Sequence, residues 1–170
     1  AADTPPGPSR IVAVGDLHAD LPQALAALTL AGILDAEGHW AAGTTVLVQT
    51  GDTTDRGPDS LEVIELLQRL ERESEAAGGR VVALLGNHEA MNLAGDWRYV
   101  APGDIADFGS VEGRITAFSK DGAIGAWLRD RGVAARVGDT VFVHGGIGPS
   151  QAAAGVDGLN AQVRTAWAGA

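Results

Sequence analysis

The chain has 170 residues, 45% of them hydrophobic, which is enough for one domain with its own apolar core. Its formal net charge is −10, from 12 basic and 22 acidic residues, which argues against a nucleic-acid-binding surface. It contains no cysteine, so disulfides and thiolate ligands are excluded, and no apolar run is long enough to predict a membrane span.

Residues 1–9 are Pro-rich and read as a loose lead-in to a single domain over 10–170. The start without Met reads as trimming or as a mature N-terminus after export, and a periplasmic or secreted location is favoured over a cytoplasmic one. Ile11-Val12-Ala13-Val14 predicts the first strand, which runs into Gly15-Asp16-Leu17-His18. A helix should follow, with Asp20 and Gln23 as a capping box, a stripe of Leu21, Leu25 and Leu28, and a stop at Gly32. Val46-Leu47-Val48 predicts a second strand, ending in Gly51-Asp52-Thr53-Thr54-Asp55-Arg56-Gly57. Asp59 and Glu62 suggest a second capping box, and Leu61, Ile64, Leu67 and Leu70 form one helical face before Gly78-Gly79. The third strand is expected over Val81-Val82-Ala83-Leu84-Leu85, just before Gly86-Asn87-His88-Glu89.

Residues 92–139 are less regular: Trp97, Tyr99 and Phe108 fall in loops, and only Ala123 to Arg131 suggests a short helix. Val141-Phe142-Val143 predicts a fourth strand, leading into His144-Gly145-Gly146, and Leu159 to Trp167 a last helix. Short, largely β-branched runs read as buried strands. Strands alternating with helices predict an α/β fold with a largely parallel sheet. Ligands of such sheets sit beyond the carboxyl ends of the strands, where all four polar motifs fall.

The polar residues at these ends are Asp16, His18, Asp52, Asn87 and His144. They offer carboxylate, imidazole and amide-carbonyl donors, a set suited to borderline divalent cations in five- or six-coordinate geometry. Asp52 has two oxygens and can bridge two ions. Two such ions can clamp a phosphate and lower the pKa of a water enough to give hydroxide for in-line attack. Arg56 has the forked geometry that fits phosphate oxygens. His88 follows Asn87 directly and is a candidate general acid for the leaving oxygen, with Asp55 as the partner that keeps it protonated. Asn87 and His88 also stand close enough in sequence to contact the substrate phosphate.

These motifs, in this order, resemble the signatures of the calcineurin-like metallophosphoesterases. Asp55-Arg56-Gly57 and the Glu89 after His88 are similar to the phosphoprotein phosphatase branch. Ala90-Met91-Asn92-Leu93 with Gly95-Asp96-Trp97-Arg98-Tyr99 resembles the bacterial Shewanella-like subgroup. The resemblance covers roughly residues 11–167. It implies a β-sandwich flanked by helices in place of a single parallel sheet. It implies one metal site from Asp16, His18 and Asp52, and a second from Asp52, Asn87 and His144. The ions would be manganese in the first place, with iron or zinc as alternatives. It implies a phosphorylated protein or peptide as substrate and neither nucleic acid nor membrane as partner. A nucleotide or dinucleoside polyphosphate hydrolase shares the same signatures, and a non-catalytic phosphate- or metal-binding module is the bland alternative.

Two departures stand out. Ala19 follows His18 where the phosphatase branch usually has Gly. The family also has a further metal-binding His in a late segment, and nothing after His144 supplies one. The expectation is that a C-terminal segment or second chain packs on the His144 strand and completes the site. Among the other polar residues, His39 reads as a surface group, and Asp59 and Glu62 as helix caps. Glu89 reads as a structural partner. Arg98 is set between a second phosphate ligand and a surface role, with the surface role favoured.

Overall fold

Strand β2 (Val46–Gln49) is buried at every position, because it alone among the described strands has a neighbour on both sides. The computed structural model describes residues 10–168, so the expected lead-in over 1–9 lies outside the described residues. Strands β1 (Ile11–Val14) and β3 (Arg80–Ala83) pair parallel with β2, with Val12 opposite Leu47 and Leu47 opposite Val81. Helix α1 (Leu21–Leu30) joins the first pair and α2 (Ser60–Ala76) the second. Helices α3 (Asn87–Leu93), α4 (Pro102–Asp107), α5 (Val111–Phe118) and α6 (Ala123–Arg129) follow. Strands β4 (Ala134–Val137) and β5 (Thr140–Val143) form a separate antiparallel pair, and α7 (Pro149–Ala168) ends the described chain.

The period-two alternation of β2 divides the core. Val46 and Val48 pack with Leu84 and with Val137, Ala135 and Phe142 of the second sheet. Leu47 belongs instead to a cluster with Leu28 of α1, and with Leu66 and Leu70 of α2. The first sheet is thus covered by the second sheet on one face and by helices on the other, a helix-flanked sandwich. A third cluster, with Ile64, Leu85, Leu93, Phe118, Ile124 and Leu128, ties α2 to α3, α5 and α6.

The one parallel sheet read from composition and spacing is therefore corrected. The fourth strand leaves it for a second, antiparallel sheet, as the family resemblance implies. The strands are not uniformly buried either. Most of β1 is half-buried, and Val141 of β5 is 45% exposed, because each lies at an edge of its described sheet. β3 ends at Ala83, and Leu84 continues only as a single parallel bridge to Gly132. Two short helices, α4 and α5, occupy the stretch read as irregular. Pro102 opens the first, and the Ser110 hydroxyl caps the second by accepting from Gly113 N at 3.0 Å. α7 starts ten residues earlier than expected and is interrupted at Gly155, whose φ of 66° suits glycine. Asn160 of α7 clamps β4, accepting from Val133 N at 2.9 Å and donating to Ala134 O at 2.9 Å.

The two expected capping boxes differ. Asp20 caps α1, accepting from Gln23 N at 3.0 Å. Asp59 makes no side-chain cap on α2, and its carboxylate accepts from Leu21 N at 3.0 Å, fastening the start of α1 to the start of α2. Glu62 is half-buried, and burial pushes its carboxyl up, with Asp107 and Asp59 adding to the effect.

His39 is exposed, in agreement with its surface reading, and belongs to a clip on α2. Glu73 accepts from Trp40 N at 2.8 Å and Arg69 at 2.9 Å, and lies 3.0 Å from His39 Nδ1. Burial raises the Glu73 carboxyl, but hydrogen bonds from His39, Trp40 and Arg69 outweigh it and hold the group at about 2, below its ordinary 4.5. A carboxyl depressed in the folded state stabilises the fold above its unfolded pKa, and that contribution fades as pH falls toward the folded value. Glu73→Gln should therefore lower stability at pH 6, and the gap to the parent should close between 4.5 and about 2. Urea unfolding at several pH values checks this; a gap independent of pH would show that the carboxylate charge contributes nothing.

Candidate metal centre

The first two motifs carry the backbone to positive φ at Gly51 and also at positions that are not glycine. The non-glycine residues with positive φ among the described residues are His18 (46°), Ala19 (53°), Asp52 (58°), Asp55 (69°) and Arg56 (68°). Each costs on the order of 1 kcal/mol, so the surrounding contacts must impose the shape. Those contacts are backbone bonds between the loops. Leu17 N and His18 N both donate to Asp52 O at 2.9 Å, and Ala19 N donates to Thr53 O at 2.8 Å. Gly57 N returns to His18 O at 2.9 Å. A side chain at Gly57 would collide with the carbonyls of His18 and Ala19, and one at Gly86 with the Asp52 carboxylate. The motif glycines thus let three loops touch. The left-handed φ of Ala19 also gives a physical reason why glycine suits that position.

The side chains converge on Asp52. Its Oδ2 lies 3.2 Å from His144 Nε2, 3.9 Å from His18 Nε2 and 3.9 Å from His88 Nε2. Its Oδ1 accepts from His88 N at 3.0 Å. Asp16 lies 3.6 Å from His18 and 3.8 Å from His144. Asn87 Oδ1 is 3.1 Å from His144 Nε2. All five residues expected as ligands, drawn from both sheets, therefore meet in one place. Asp52 is 3% exposed, whereas the Asp16 side chain is 51% exposed, so the centre opens to solvent on the Asp16 side.

These residues fit divalent cations. His18 Nε2 and His144 Nδ1 are buried without hydrogen-bond partners, and both face carboxylates. The ring of His18 is turned by its other nitrogen, 3.2 Å from Thr54 O, which leaves Nε2 for a cation. Asp16, Asp52 and His144 can bring ligand atoms within 4.8 Å of one another, and so can His18, Asp52 and His88. His88 is the weaker ligand of that second group. Its Nδ1 meets Asp55 Oδ2 at 2.8 Å, and its Nε2 faces the Arg56 guanidinium at 3.4 Å, a cation where a ligand would face a metal. Arg56 is exposed and pairs with neither Asp52 nor Asp55 among the described residues, so its fork is open to an anion. Arg98 is held in a two-point pair with Asp96, at 2.9 and 2.7 Å, which depresses the Asp96 carboxyl.

A family model described as calcineurin-like phosphoesterase matches residues 9–167. The chain belongs to the calcineurin-like phosphoesterase family. It is 33% identical to the Shewanella-like protein phosphatase 2 of Arabidopsis thaliana, over 92% of this chain and 51% of that protein. It is 34% identical to the symmetrical bis(5'-nucleosyl)-tetraphosphatase of Methylococcus capsulatus, over 61% of this chain and 34% of that one. The crystal structure of the cold-active protein-tyrosine phosphatase of a psychrophilic Shewanella superposes with a TM-score of 0.83 at 33% identity, covering 92% of this chain and 48% of that one. The chain spans about half the length of the phosphatase relatives it matches. Membership in this family implies divalent metal ions, and the Asp and His groups of this cluster could hold them.

Several residues outside the expected ligand set shape the centre, Glu89 among them as the structural partner it reads as. Gln49 is 1% exposed and wraps the Gly51 peptide, donating to its carbonyl at 2.7 Å and accepting from its N–H at 3.0 Å. Glu89 is fully buried and gathers the N–H groups of Asp52, Thr53, Thr54 and Gly86. Asn92, Asp104 and Arg114 form a buried polar chain behind Asp55. Arg114 was invisible because nothing in Val111 to Phe118 marks an arginine as buried.

Proposed function

We propose that the protein to which this chain belongs is a phosphoprotein phosphatase, hydrolysing phosphate monoesters on Ser/Thr, Tyr or both. The carrying observation is the His88 ring, its Nδ1 2.8 Å from Asp55 and its Nε2 3.4 Å from the open Arg56 fork, at the edge of the metal-ligand cluster. Two divalent ions, manganese in the first place and iron or zinc otherwise, would polarise the phosphoryl oxygens and acidify a water. Asp16, His18 and Asp52 would hold one, and Asp52, Asn87 and His144 the other. Arg56, with Asn87 and His88, binds the phosphate oxygens. Asp55 holds the His88 ring in place, and His88 Nε2 gives its proton to the leaving alcohol. The reading includes a further segment of the whole protein that covers β5 and adds a second-site imidazole. An apolar hollow of about 280 Å³ lined by Val133, Val143, Ile147 and Leu159 beside His144 is consistent with such a cover.

His88→Ala should retain metal and lose about 10²–10⁴-fold in rate on alkyl phosphates, with a smaller loss on p-nitrophenyl phosphate, whose phenolate leaves without help. Steady-state rates and metal analysis on the full-length protein test this; equal losses on both esters would remove His88 as the acid. The second reading, a dinucleoside polyphosphate hydrolase, is favoured by the tetraphosphatase relative. Parallel assays on phosphopeptides and diadenosine tetraphosphate separate the two, and turnover of the dinucleotide alone would replace the first with the second.

A further inference from the structure

Among the described residues Arg114 is the largest side chain that is wholly buried, at 0% exposure, and it lies on a helix that contributes nothing to the metal cluster. An isolated buried guanidinium is costly, so its partners are informative. Its Nε donates to Asp104 Oδ2 at 2.7 Å, and the other Asp104 oxygen accepts from Ser60 N at 2.9 Å. Its Nη1 donates to Asn92 Oδ1 at 2.8 Å. Its Nη2 lies 3.7 Å from Asp55 Oδ1 and makes no hydrogen bond of its own. Its carbon sits 4.3 Å from the Phe118 ring centroid, with Phe108 and Trp97 at 5.7 and 5.5 Å. The guanidinium is thus fixed in a cage of aromatic rings, and Asp104 balances its charge.

The geometry gives this arrangement a direction. An asparagine amide can sit either way round, and its neighbours decide which. By donating to Asn92 Oδ1, Arg114 fixes the Asn92 amide with Nδ2 toward the site. That Nδ2 donates to Asp55 Oδ1 at 2.8 Å and to His88 O at 2.9 Å. Asp55 Oδ1 and His88 O accept on the other side, so without Arg114 the buried Asn92 oxygen loses its donor and the amide that braces Asp55 is held from one side only. Asp55 Oδ2, held from behind in this way, meets His88 Nδ1 at 2.8 Å. Negative and positive groups thus alternate from Asp104 through Arg114 to Asp55, whose other oxygen meets the His88 ring.

We propose that Arg114 is a positioning residue for the acid at His88, acting through Asn92 and Asp55. The inference rests on the reading of His88 as proton donor. Arg114 reaches no ligand of the proposed metal site directly. It orients the one carboxylate that aims the imidazole at the leaving oxygen.

The test compares His88→Ala with Asn92→Ala and with the paired change Arg114→Met and Asp104→Asn, all in the full-length protein. The paired change removes Arg114 and its partner Asp104 together, and Asn92→Ala removes no charged group, so at least one of the two should fold. Metal content should be retained in both. The rate constant on an alkyl phosphate should fall about 10-fold or more, the loss on p-nitrophenyl phosphate should stay within about 3-fold, and KM should hardly change. The downfield proton resonance of the His88 Nδ1–H, assigned by its absence from His88→Ala, should shift or broaden in both variants. If His88→Ala distinguishes the two esters and the other variants do not, or if the resonance is unmoved, the Arg114 inference alone is overturned. If His88→Ala slows both esters equally, the acid reading falls and the inference falls with it.

Discussion

Asp52→Asn should lose most of its bound metal and at least about 10³-fold in phosphatase rate, while the metal-free protein folds as before. The replacement is nearly the same shape. The left-handed backbone at Asp52, with φ of 58°, is one that asparagine adopts as readily as aspartate. An amide oxygen can still accept from His88 N, as Asp52 Oδ1 does at 3.0 Å. The second position changes: an amide nitrogen replaces Oδ2, the atom 3.2 Å from His144 and 3.9 Å from His18. Only a carboxylate can offer one oxygen to each of two cations and neutralise part of their charge. Metal analysis, steady-state rates and urea unfolding on the same preparation check the expectation. Two ions retained per chain would remove the bridging role, and a large loss of metal-free stability would mean that the carboxylate holds the loop rather than the metal.

The candidate metal ligands were legible in the sequence because each is stated by a local pattern: an apolar strand that stops at a motif. The loops after β1, β2 and β3 then meet simply because parallel strands place their carboxyl ends together. His144 follows the same pattern, but its strand is antiparallel to its own partner and in a second sheet, so spacing placed it at the right edge of the wrong sheet, and the family resemblance is what implies the sandwich. What supports the ligands was less visible. Asn92 and Arg114 stand 22 residues apart and meet only through the packing of α3 against α5. Asp59 looked like a cap because Asp before a helix usually is one; tertiary contact with Leu21 N won over the local pattern. The short α4 and α5 carry too few turns for an apolar stripe, and their caps, Pro102 and Ser110, are signals that loops share.

Glu89 is where the largest stability loss is expected. A carboxylate with no exposure is unfavourable by several kcal/mol unless donors surround it. Here Oε2 accepts from Gly86 N and Asp52 N at 2.8 Å each. Oε1 accepts from Thr53 N and Thr53 Oγ1 at 2.8 Å, and from Thr54 N and Thr54 Oγ1 at 3.2 Å. Four of those six donors are backbone groups, three of them in the loop that carries Asp52 and Asp55. The carboxylate also lies in the first turn of α3, where its charge suits the helix end. Glu89→Gln keeps the volume and one oxygen, but its amide nitrogen must point at N–H groups whichever way it turns. At least two backbone donors are then buried without an acceptor and face another donor. The expected loss is about 3 kcal/mol or more in unfolding free energy, with metal affinity falling because the Asp52 loop is no longer held in its left-handed turn. Thr53→Val, which removes a single hydroxyl donor, should lose only about 1 kcal/mol and keep its metal. Urea unfolding and metal titration of both variants make the comparison. Equal, small losses for the two would show that the loop holds its own shape and that Glu89 merely fills space beneath it.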